Sequence, residues 1–144
     1  MQDLPHRYAV QATGATEGEV RLTAAGLPAL ASAAPREFGG PGDRWSPETL
    51  LVAAVADCFV LSFRAVARAS KLDWTSLDCD AEGVLDRADG KLRFTALSLR
   101  VRLAVPAGSD TERAQRLLEK AERACLISSS LLAPVHLEAS VREG

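Results

Sequence analysis

The longest apolar stretch of this 144-residue chain, residues 46–71, most constrains how the chain can fold. It opens with Ser46, Pro47 and Glu48, which suit the cap, the first turn and the positive dipole end of a helix. From there to Phe63 the side chains are apolar almost all the way round the predicted helix. This pattern is typical of a central, buried helix rather than an amphipathic surface helix.

A β-hairpin is predicted over residues 75–104. Apolar and polar side chains alternate there in two runs, with the period of a half-buried strand. Asp89-Gly90, between the two runs, is a strong hairpin turn. Cys79 falls within the first run, so we expect it to be a core residue.

The remaining segments complete an α+β fold with the order βββ-α-ββ-α-β. Residues 1–34 are expected to hold three short strands, followed by a loop over residues 35–45 that is rich in glycine and proline. An i, i+3, i+4 apolar pattern predicts a second helix, and period-2 alternation predicts a last strand. The four strands are expected over residues 7–12, 18–24, 28–32 and 134–142, and the second helix is expected over residues 109–127. The three serines at 128–130 are interpreted as the frayed end of the second helix.

Composition excludes several classes of protein. With 17 Lys and Arg against 19 Asp and Glu, a net charge of −2, the chain lacks the basic surface that nucleic-acid binding needs. Asp57 and Arg64 interrupt the apolar stretch, so no membrane span is expected. The start, residues 1–7, lacks the layout of a signal peptide, so we expect a cytoplasmic protein. By length it is expected to be a single domain, residues 1–144.

Two of the three cysteines, Cys58 and Cys125, are candidates for redox chemistry. A thiolate attacks a peroxide oxygen, and the sulfenic acid that forms needs a second thiol to restore it. The two residues are 67 positions apart, each on the apolar face of its own predicted helix, and two helices packed on one sheet would allow contact. Alternatively, both only fill core volume, because free cysteine is among the most buried residue types. Spacing alone leaves both interpretations open.

No other catalytic or binding pattern is present in the sequence. His6 and His136 do not stand at metal-ligand spacing with any cysteine, so no metal site is expected. There is no dinucleotide-binding, phosphate-binding or nucleophile-elbow motif, so no cofactor is expected either.

A glycine-rich block and the helix start after it form the most distinctive motif of the chain. The motif reads Pro-Arg-Glu-Phe-Gly-Gly-Pro-Gly at 35–42, Trp-Ser-Pro-Glu-Thr-Leu-Leu-Val-Ala-Ala at 45–54 and Asp-Cys-Phe at 57–59. It resembles the OsmC/Ohr family, in which a proline-glutamate helix start is followed ten residues later by the reactive cysteine. Glu48 and Cys58 match this spacing. The second family cysteine matches Cys125 in Ala-Cys-Leu-Ile-Ser at 124–128.

The resemblance implies a fold, a chemistry and a set of partners. The fold would be OsmC-like, with the long central helix packed on curved antiparallel sheets, in an intertwined homodimer with active sites at the subunit interface. Cys58 would be the peroxidatic thiolate and Cys125 the resolving thiol. The substrates would be organic hydroperoxides, often derived from fatty acids, reduced in oxidative-stress defence. An external dithiol or lipoyl group would re-reduce the disulfide.

One departure from the family concerns the residue that activates the thiol. Family enzymes place an arginine on the N-terminal hairpin turn, held by the glutamate that opens the helix. The corresponding turn here, residues 14–18, has no arginine. We expect Arg36 to substitute, since its loop leads into the active helix; Arg21 and Arg44 are the alternatives.

The surroundings of Cys58 are expected to disfavour its thiolate. Apolar neighbours would raise the thiol pKa through desolvation, and the N-terminus of its own helix is about three turns away, too far to lower it. Glu48 is about 15 Å from Cys58 along an unbroken helix, so direct contact is not expected. Glu48 would act through a bridging arginine, or it only complements the helix dipole.

Three functions compete on this basis. The first is thiol-dependent reduction of organic hydroperoxides by Cys58 and Cys125. The second is a non-catalytic module that binds a hydrophobic ligand at the dimer interface, because an unactivated thiol would react slowly. The third is a structural dimer in which both cysteines are packing residues.

Overall fold

In the computed structural model, which describes residues 1–144, the first of two units spans Met1–Leu50. It contains an antiparallel sheet of three strands in chain order, β1 (Gln11–Thr13), β2 (Val20–Thr23) and β3 (Leu30–Ser32). The three predicted strands are present, but β1 is shorter than predicted. Its partner β2 has only four residues, so the ladder runs only from Gln11 opposite Thr23 to Thr13 opposite Arg21.

The predicted loop over residues 35–45 is irregular apart from one turn of 3₁₀ helix at Arg36–Phe38. The chain folds back so tightly after this turn that a Cβ atom at Gly40 would overlap the carbonyl group of Ala34. Close backbone approach therefore requires glycine at this position.

The predicted apolar helix is present as α1 (Pro47–Ala69). At its start, the Thr49 N–H donates to the Ser46 hydroxyl (3.1 Å) and the Ser46 N–H donates to the Thr49 hydroxyl (2.9 Å). This reciprocal pair satisfies two donors that the first turn would leave free. The helix ends before the predicted Lys71, because the φ of Lys71, 56°, is left-handed and cannot continue an α-helix.

The second unit, Leu51–Gly144, contains a sheet in which β4 (Ser76–Ala88) and β6 (Val135–Glu143) flank the central β5 (Lys91–Val105). The predicted β4–β5 hairpin is present. The two residues of its Asp89-Gly90 turn both have positive φ, 52° and 77°. These are the values that a two-residue turn matching the strand twist needs. That the two units act as one domain stays a prediction.

The expectation that the sheets are wholly antiparallel is wrong for the last strand. β6 pairs with β5 in parallel, from Leu97 opposite Val135 to Val105 opposite Glu143. The reason is the connection, since the chain leaves β5, crosses back along α2 (Thr111–Ala124) and re-enters the sheet in its original direction. The second sheet is therefore mixed.

The second predicted helix, residues 109–127, is divided into two. α2 begins after Asp110, whose carboxylate caps its first turn. It ends at Ala124 because Cys125 has an extended backbone (φ −69°, ψ 109°), and the short helix α3 (Leu126–Ser129) follows. Cys125 therefore lies at the junction of two helices rather than on the apolar face of one.

One stripe of α1 faces the second sheet and forms the core of this unit. The stripe repeats every four residues and packs against inward side chains of β5 and α2. The buried residues of the three elements are Val55, Phe59, Phe63, Ala67, Leu97, Leu99, Val101, Leu103, Ala104, Val105, Ala114, Leu118 and Ala121. β4 and α1 approach so closely that a Cβ atom added at Gly83 would lie 2.8 Å from the side chains of Val52 and Phe94.

Much of α1 is not covered within the single chain. Leu61, near the middle of the helix, is 51% exposed, and 28% of an 18-residue apolar window is buried. The expectation of burial on all sides does not hold for one chain, because a single sheet covers one face. By length and composition α1 also qualifies as a membrane span, a criterion that core helices of soluble proteins meet as well. The expected absence of a span stays a prediction.

Candidate active site

The second unit brings Cys58 and Cys125 together. Cys58 lies in the middle of α1 and is partly exposed, whereas Cys125 at the α2–α3 junction is 1% exposed. Both thiols are free, and each affects the pKa of the other, as neighbouring groups do. The packing of helices on one sheet thus places side by side two sulfurs that are distant in sequence.

Polar contacts favour the thiolate of Cys58, although burial opposes it. Burial raises the pKa of the Cys58 thiol, and four hydrogen bonds lower that pKa by more than burial raises it. The donors, in decreasing order of effect, are the Ile127 N–H, the Cys125 thiol, the Ser62 hydroxyl and the Leu126 N–H. The expected desolvation does raise the pKa, but the polar contacts outweigh it, so the net shift is downward. A larger fraction of Cys58 is the reactive thiolate as a result.

The pKa of the Cys125 thiol is shifted in the opposite direction, upward. Burial raises the pKa of its thiol, the hydroxyl and N–H of Ser128 lower it by less, and the neighbouring Cys58 raises it again. The Ser128 hydroxyl donates to Cys125 Sγ at 3.3 Å. Of the two thiols, Cys58 is therefore the one that ionises more readily.

Cys79 is placed differently from these two thiols. It lies half-buried in β4 and packs against the core. Burial and the nearby Asp80 raise the pKa of Cys79 to about 11, and Arg102 offsets this only in part. A thiol with that pKa is protonated at neutral pH and reacts slowly with peroxides.

The Leu126 N–H allows a direct test of how the site favours the thiolate. Leu126 is the first residue of α3, where proline is tolerated, and the extended Cys125 has the conformation that a residue before proline needs. Leu126→Pro therefore removes one donor to Cys58 without breaking the helix. We expect the pKa of Cys58 to rise and its alkylation by iodoacetamide at neutral pH to slow by roughly tenfold, as for one lost hydrogen bond to a charged atom.

Leu126→Ala is the matched control, because it removes the same exposed side chain and keeps the N–H. We expect it to leave unchanged both the alkylation rate and the pH at which alkylation is half-maximal. Equal rates for Leu126→Pro and Leu126→Ala would show that this amide does not act on Cys58.

Glu48, in the first unit, has an unpaired carboxylate oxygen. Its Oε1 is buried and has no hydrogen-bond partner in the structure, which is rare for a buried charged group. The carboxylate borders a cavity of about 570 Å³ whose other walls, among them Phe38 and Leu50, are almost entirely apolar. The oxygen is therefore free to accept a hydrogen bond. That Glu48 takes part in the thiol chemistry stays a prediction.

Arg36 lies in the 3₁₀ turn of the first unit. Its guanidinium packs against Gly42 and forms no salt bridge. Arg44, one of the alternatives, is instead paired with Glu19 at 3.0 Å. Of these two arginines, Arg36 is the one that is free of carboxylates, and its action on Cys58 stays a prediction.

Sequence reasoning misses the donors around the two sulfurs. Ser62 is four residues after Cys58 on α1, so its place on the same helical face was open to prediction. The contact of Ser128 is missed because the sequence suggests that residues 128–130 form a frayed helix end. In the structure Ser128 is 8% exposed and its hydroxyl donates to Cys125. The backbone donors leave no signal in the sequence, because every residue except proline has an N–H.

Comparison with known proteins identifies relatives over most of the chain. The model of the family described as OsmC-like protein matches residues 40–140. The chain is 34% identical over 121 residues to an organic hydroperoxide resistance protein of Xanthomonas axonopodis pv. citri, covering 83% of this chain and 82% of that protein. It is 31% identical over 93 residues to peroxiredoxin OsmC of Escherichia coli, covering 65% of this chain and 64% of that protein.

The fold is also found among solved structures. The crystal structure of an organic hydroperoxide resistance protein OsmC from Legionella pneumophila matches with a TM-score of 0.75 at 28% identity, over 96% of this chain and 98% of that one. This match confirms the OsmC-like α+β architecture that the motif over residues 35–59 predicted. The chain therefore belongs to the OsmC family.

Proposed function

We propose that the chain is a thiol-dependent peroxidase that reduces organic hydroperoxides, with Cys58 as the attacking thiol and Cys125 as the resolving thiol. The observation that carries the proposal is a pair of adjacent free thiols, one with a lowered pKa and one with a raised pKa. Cysteines that only fill core volume need neither contact between sulfurs nor donors directed at one of them. The names of the two curated relatives support the same class of activity.

The first chemical step takes place at Cys58. Its thiolate attacks the outer peroxide oxygen, the O–O bond breaks, and the departing alkoxide takes up a proton to leave as an alcohol. The Leu126 and Ile127 amides hold the negative charge of the sulfur before the attack. Cys58 is oxidised to a sulfenic acid as the hydroperoxide is reduced.

The second step belongs to Cys125. Its sulfur attacks Cys58 Sγ, a disulfide forms, and hydroxide leaves as water with the proton from the Cys125 thiol. An external dithiol or lipoyl group then reduces the disulfide and is itself oxidised. The cycle needs no resident cofactor, because the dithiol supplies both electrons.

Glu48 and Arg36 have a supporting role in this proposal. A guanidinium beside Cys58 would stabilise its thiolate further, since an opposite charge favours the ionised form. The unpaired oxygen of Glu48 supports a role in holding such a guanidinium. Arg36 is our candidate, because no carboxylate engages it in the structure.

The active form in this proposal is a cytoplasmic homodimer that serves in oxidative-stress defence. The apolar surface of α1 is partly uncovered, with Leu61 half exposed. This supports a dimer in which a second copy covers that surface, because large exposed apolar patches are rare on monomeric proteins. The same apolar surface beside Cys58 favours an organic hydroperoxide over hydrogen peroxide as the substrate.

A peroxidase assay of the reduced protein tests the function. With cumene hydroperoxide and excess dithiothreitol, we expect continuous peroxide consumption and a lower kcat/KM for hydrogen peroxide. Without dithiothreitol, we expect one peroxide consumed per chain and a Cys58–Cys125 disulfide, identified by peptide mass spectrometry. Peroxide loss no faster than with dithiothreitol alone would contradict the proposal.

A second candidate function is a non-catalytic module that binds a hydrophobic ligand. The apolar cavity beside Glu48, about 570 Å³, favours it because ligand sites commonly have such volumes. The lowered pKa of Cys58 counts against it, since ligand binding does not need a stabilised thiolate. An apolar ligand retained in native mass spectra, together with no peroxide turnover, would favour the binding module.

A further inference from the structure

Ser128 contacts Cys125 in a way that the cycle above does not use. Its hydroxyl donates to Cys125 Sγ at 3.3 Å. Ser128 is 8% exposed and Cys125 is 1% exposed, so this hydrogen bond is shielded from bulk water. Ser128 thus directs a side-chain donor at the buried thiol.

Cys125 needs such a donor because it becomes negatively charged inside the protein on two occasions. It attacks the sulfenic acid as a thiolate, and it departs as a thiolate when an external dithiol attacks the disulfide at Cys58. The choice of Cys58 as the attacked sulfur follows from access, since Cys58 is partly exposed and Cys125 is 1% exposed. Burial disfavours the charged form of Cys125 both times.

We propose that Ser128 is a positioning residue that stabilises the Cys125 thiolate when it attacks the sulfenic acid and again when it leaves the disulfide. This inference rests on the proposed peroxidase function and adds a residue to it. Ser128 acts only through Cys125, because its hydroxyl bonds to that sulfur.

The two events balance without a further reactant. In the first, the Cys125 thiol gives up its proton and its thiolate bonds to Cys58 Sγ. The S–O bond of the sulfenic acid breaks, and the departing hydroxide combines with the released proton to become water. In the second, one sulfur of the dithiol bonds to Cys58, the S–S bond breaks, and its electron pair goes to Cys125, which is then protonated. The second sulfur of the dithiol displaces Cys58, and the dithiol becomes a cyclic disulfide.

Other serines near the sulfurs have different contacts. Ser62 contacts Cys58 rather than Cys125, at the longer distance of 3.8 Å. The Ser129 hydroxyl donates to the backbone carbonyl of Cys125 at 2.7 Å. Ser129→Ala therefore removes a hydroxyl from the same short helix without removing a bond to sulfur, and it is the matched control.

The test separates the two oxidation steps in Ser128→Ala by rapid mixing with cumene hydroperoxide. We expect the rate of sulfenic acid formation at Cys58 to stay at the wild-type value. We expect the following disulfide formation to slow by roughly tenfold or more, as for a lost hydrogen bond to a charged atom. Excess peroxide should then convert more Cys58 to sulfinic acid, which mass spectrometry detects, because the sulfenic acid lives longer.

Ser128→Thr keeps a hydroxyl and should form the disulfide at close to the wild-type rate. Ser129→Ala should also form it at the wild-type rate. If Ser128→Ala does not fold, Ser128→Val replaces it, because valine has the shape of threonine without the hydroxyl; the slow second step is again expected. Wild-type rates of disulfide formation in the folded alanine or valine variant would overturn the role of Ser128. Equal slowing in Ser129→Ala would overturn it as well.

Failure of this inference is distinguishable from failure of the proposed function. If the wild-type protein forms no sulfenic acid at Cys58, the peroxidase function itself is wrong. If the wild-type protein forms sulfenic acid and disulfide in sequence and Ser128→Ala does the same at equal rates, only the role of Ser128 is wrong.

Discussion

Replacing Cys58 by serine is expected to end catalytic peroxide reduction, with turnover of cumene hydroperoxide under dithiothreitol falling by at least roughly a thousandfold. The reactive species is the thiolate, and a serine hydroxyl stays protonated under conditions in which this thiol ionises. The hydroxyl also cannot be oxidised to a sulfenic acid. Turnover of Cys58→Ser at a rate close to that of the wild type would refute the proposed function.

Two further cysteine variants test whether the loss of turnover is specific to Cys58 and which thiol resolves the sulfenic acid. Cys79→Ser is the control, and we expect wild-type turnover because the pKa of Cys79, about 11, keeps it protonated. Cys125→Ser keeps the attacking thiol and loses the resolving thiol. Without dithiothreitol, it should consume one peroxide per chain and accumulate Cys58 sulfenic acid instead of the disulfide. If Cys125→Ser behaved like Cys58→Ser in this single turnover, the roles of the two thiols would have to be reassigned.

The second large effect concerns stability. We expect Phe59→Ala to lower the free energy of unfolding by about 3–5 kcal/mol. The Phe59 ring is 0% exposed in the core between α1 and β5. Removing it takes apolar area out of the core and leaves a cavity, because the surrounding helix and sheet relax only in part. Urea denaturation measures the change as a lower midpoint at an unchanged slope.

Phe38→Ala provides the comparison for this stability prediction. It deletes the same atoms from a side chain that is 53% exposed, so its loss should be less than half of the loss at Phe59. Similar losses at the two positions would mean that Phe59 does not occupy a closed core.

Much of the fold follows from short-range patterns that the chain displays plainly. The period-2 alternation on both sides of Asp89-Gly90 predicts a hairpin whose turn indeed has two positive φ values. Ser46 and the apolar run after it predict α1 to within two residues at its end. These features depend on neighbouring residues, which a sequence shows directly.

The errors arise where distant segments meet. The parallel pairing of β6 with β5 depends on the crossover through α2, and β6 alternates in the same way whichever direction it runs. The break at Cys125 is an extended backbone at a residue that the apolar helical pattern includes, and no glycine or proline marks it. The lowered pKa of Cys58 depends on amides at Leu126 and Ile127, so the chemistry of this thiol is set by backbone groups almost 70 residues away.

The parallel pairing of β5 and β6 also affects how the protein folds. Residues 97–105 have no partner on one side until residues 135–143 have been synthesised and have returned past α2 and α3. Pairing over such a sequence separation forms slowly. Until it forms, β5 presents a row of unpaired N–H and C=O groups, which is a template for pairing with other chains. The last strand therefore protects the second unit against aggregation. Damage to it is expected to lower the yield of soluble protein more than the loss of its partly buried side chains alone would.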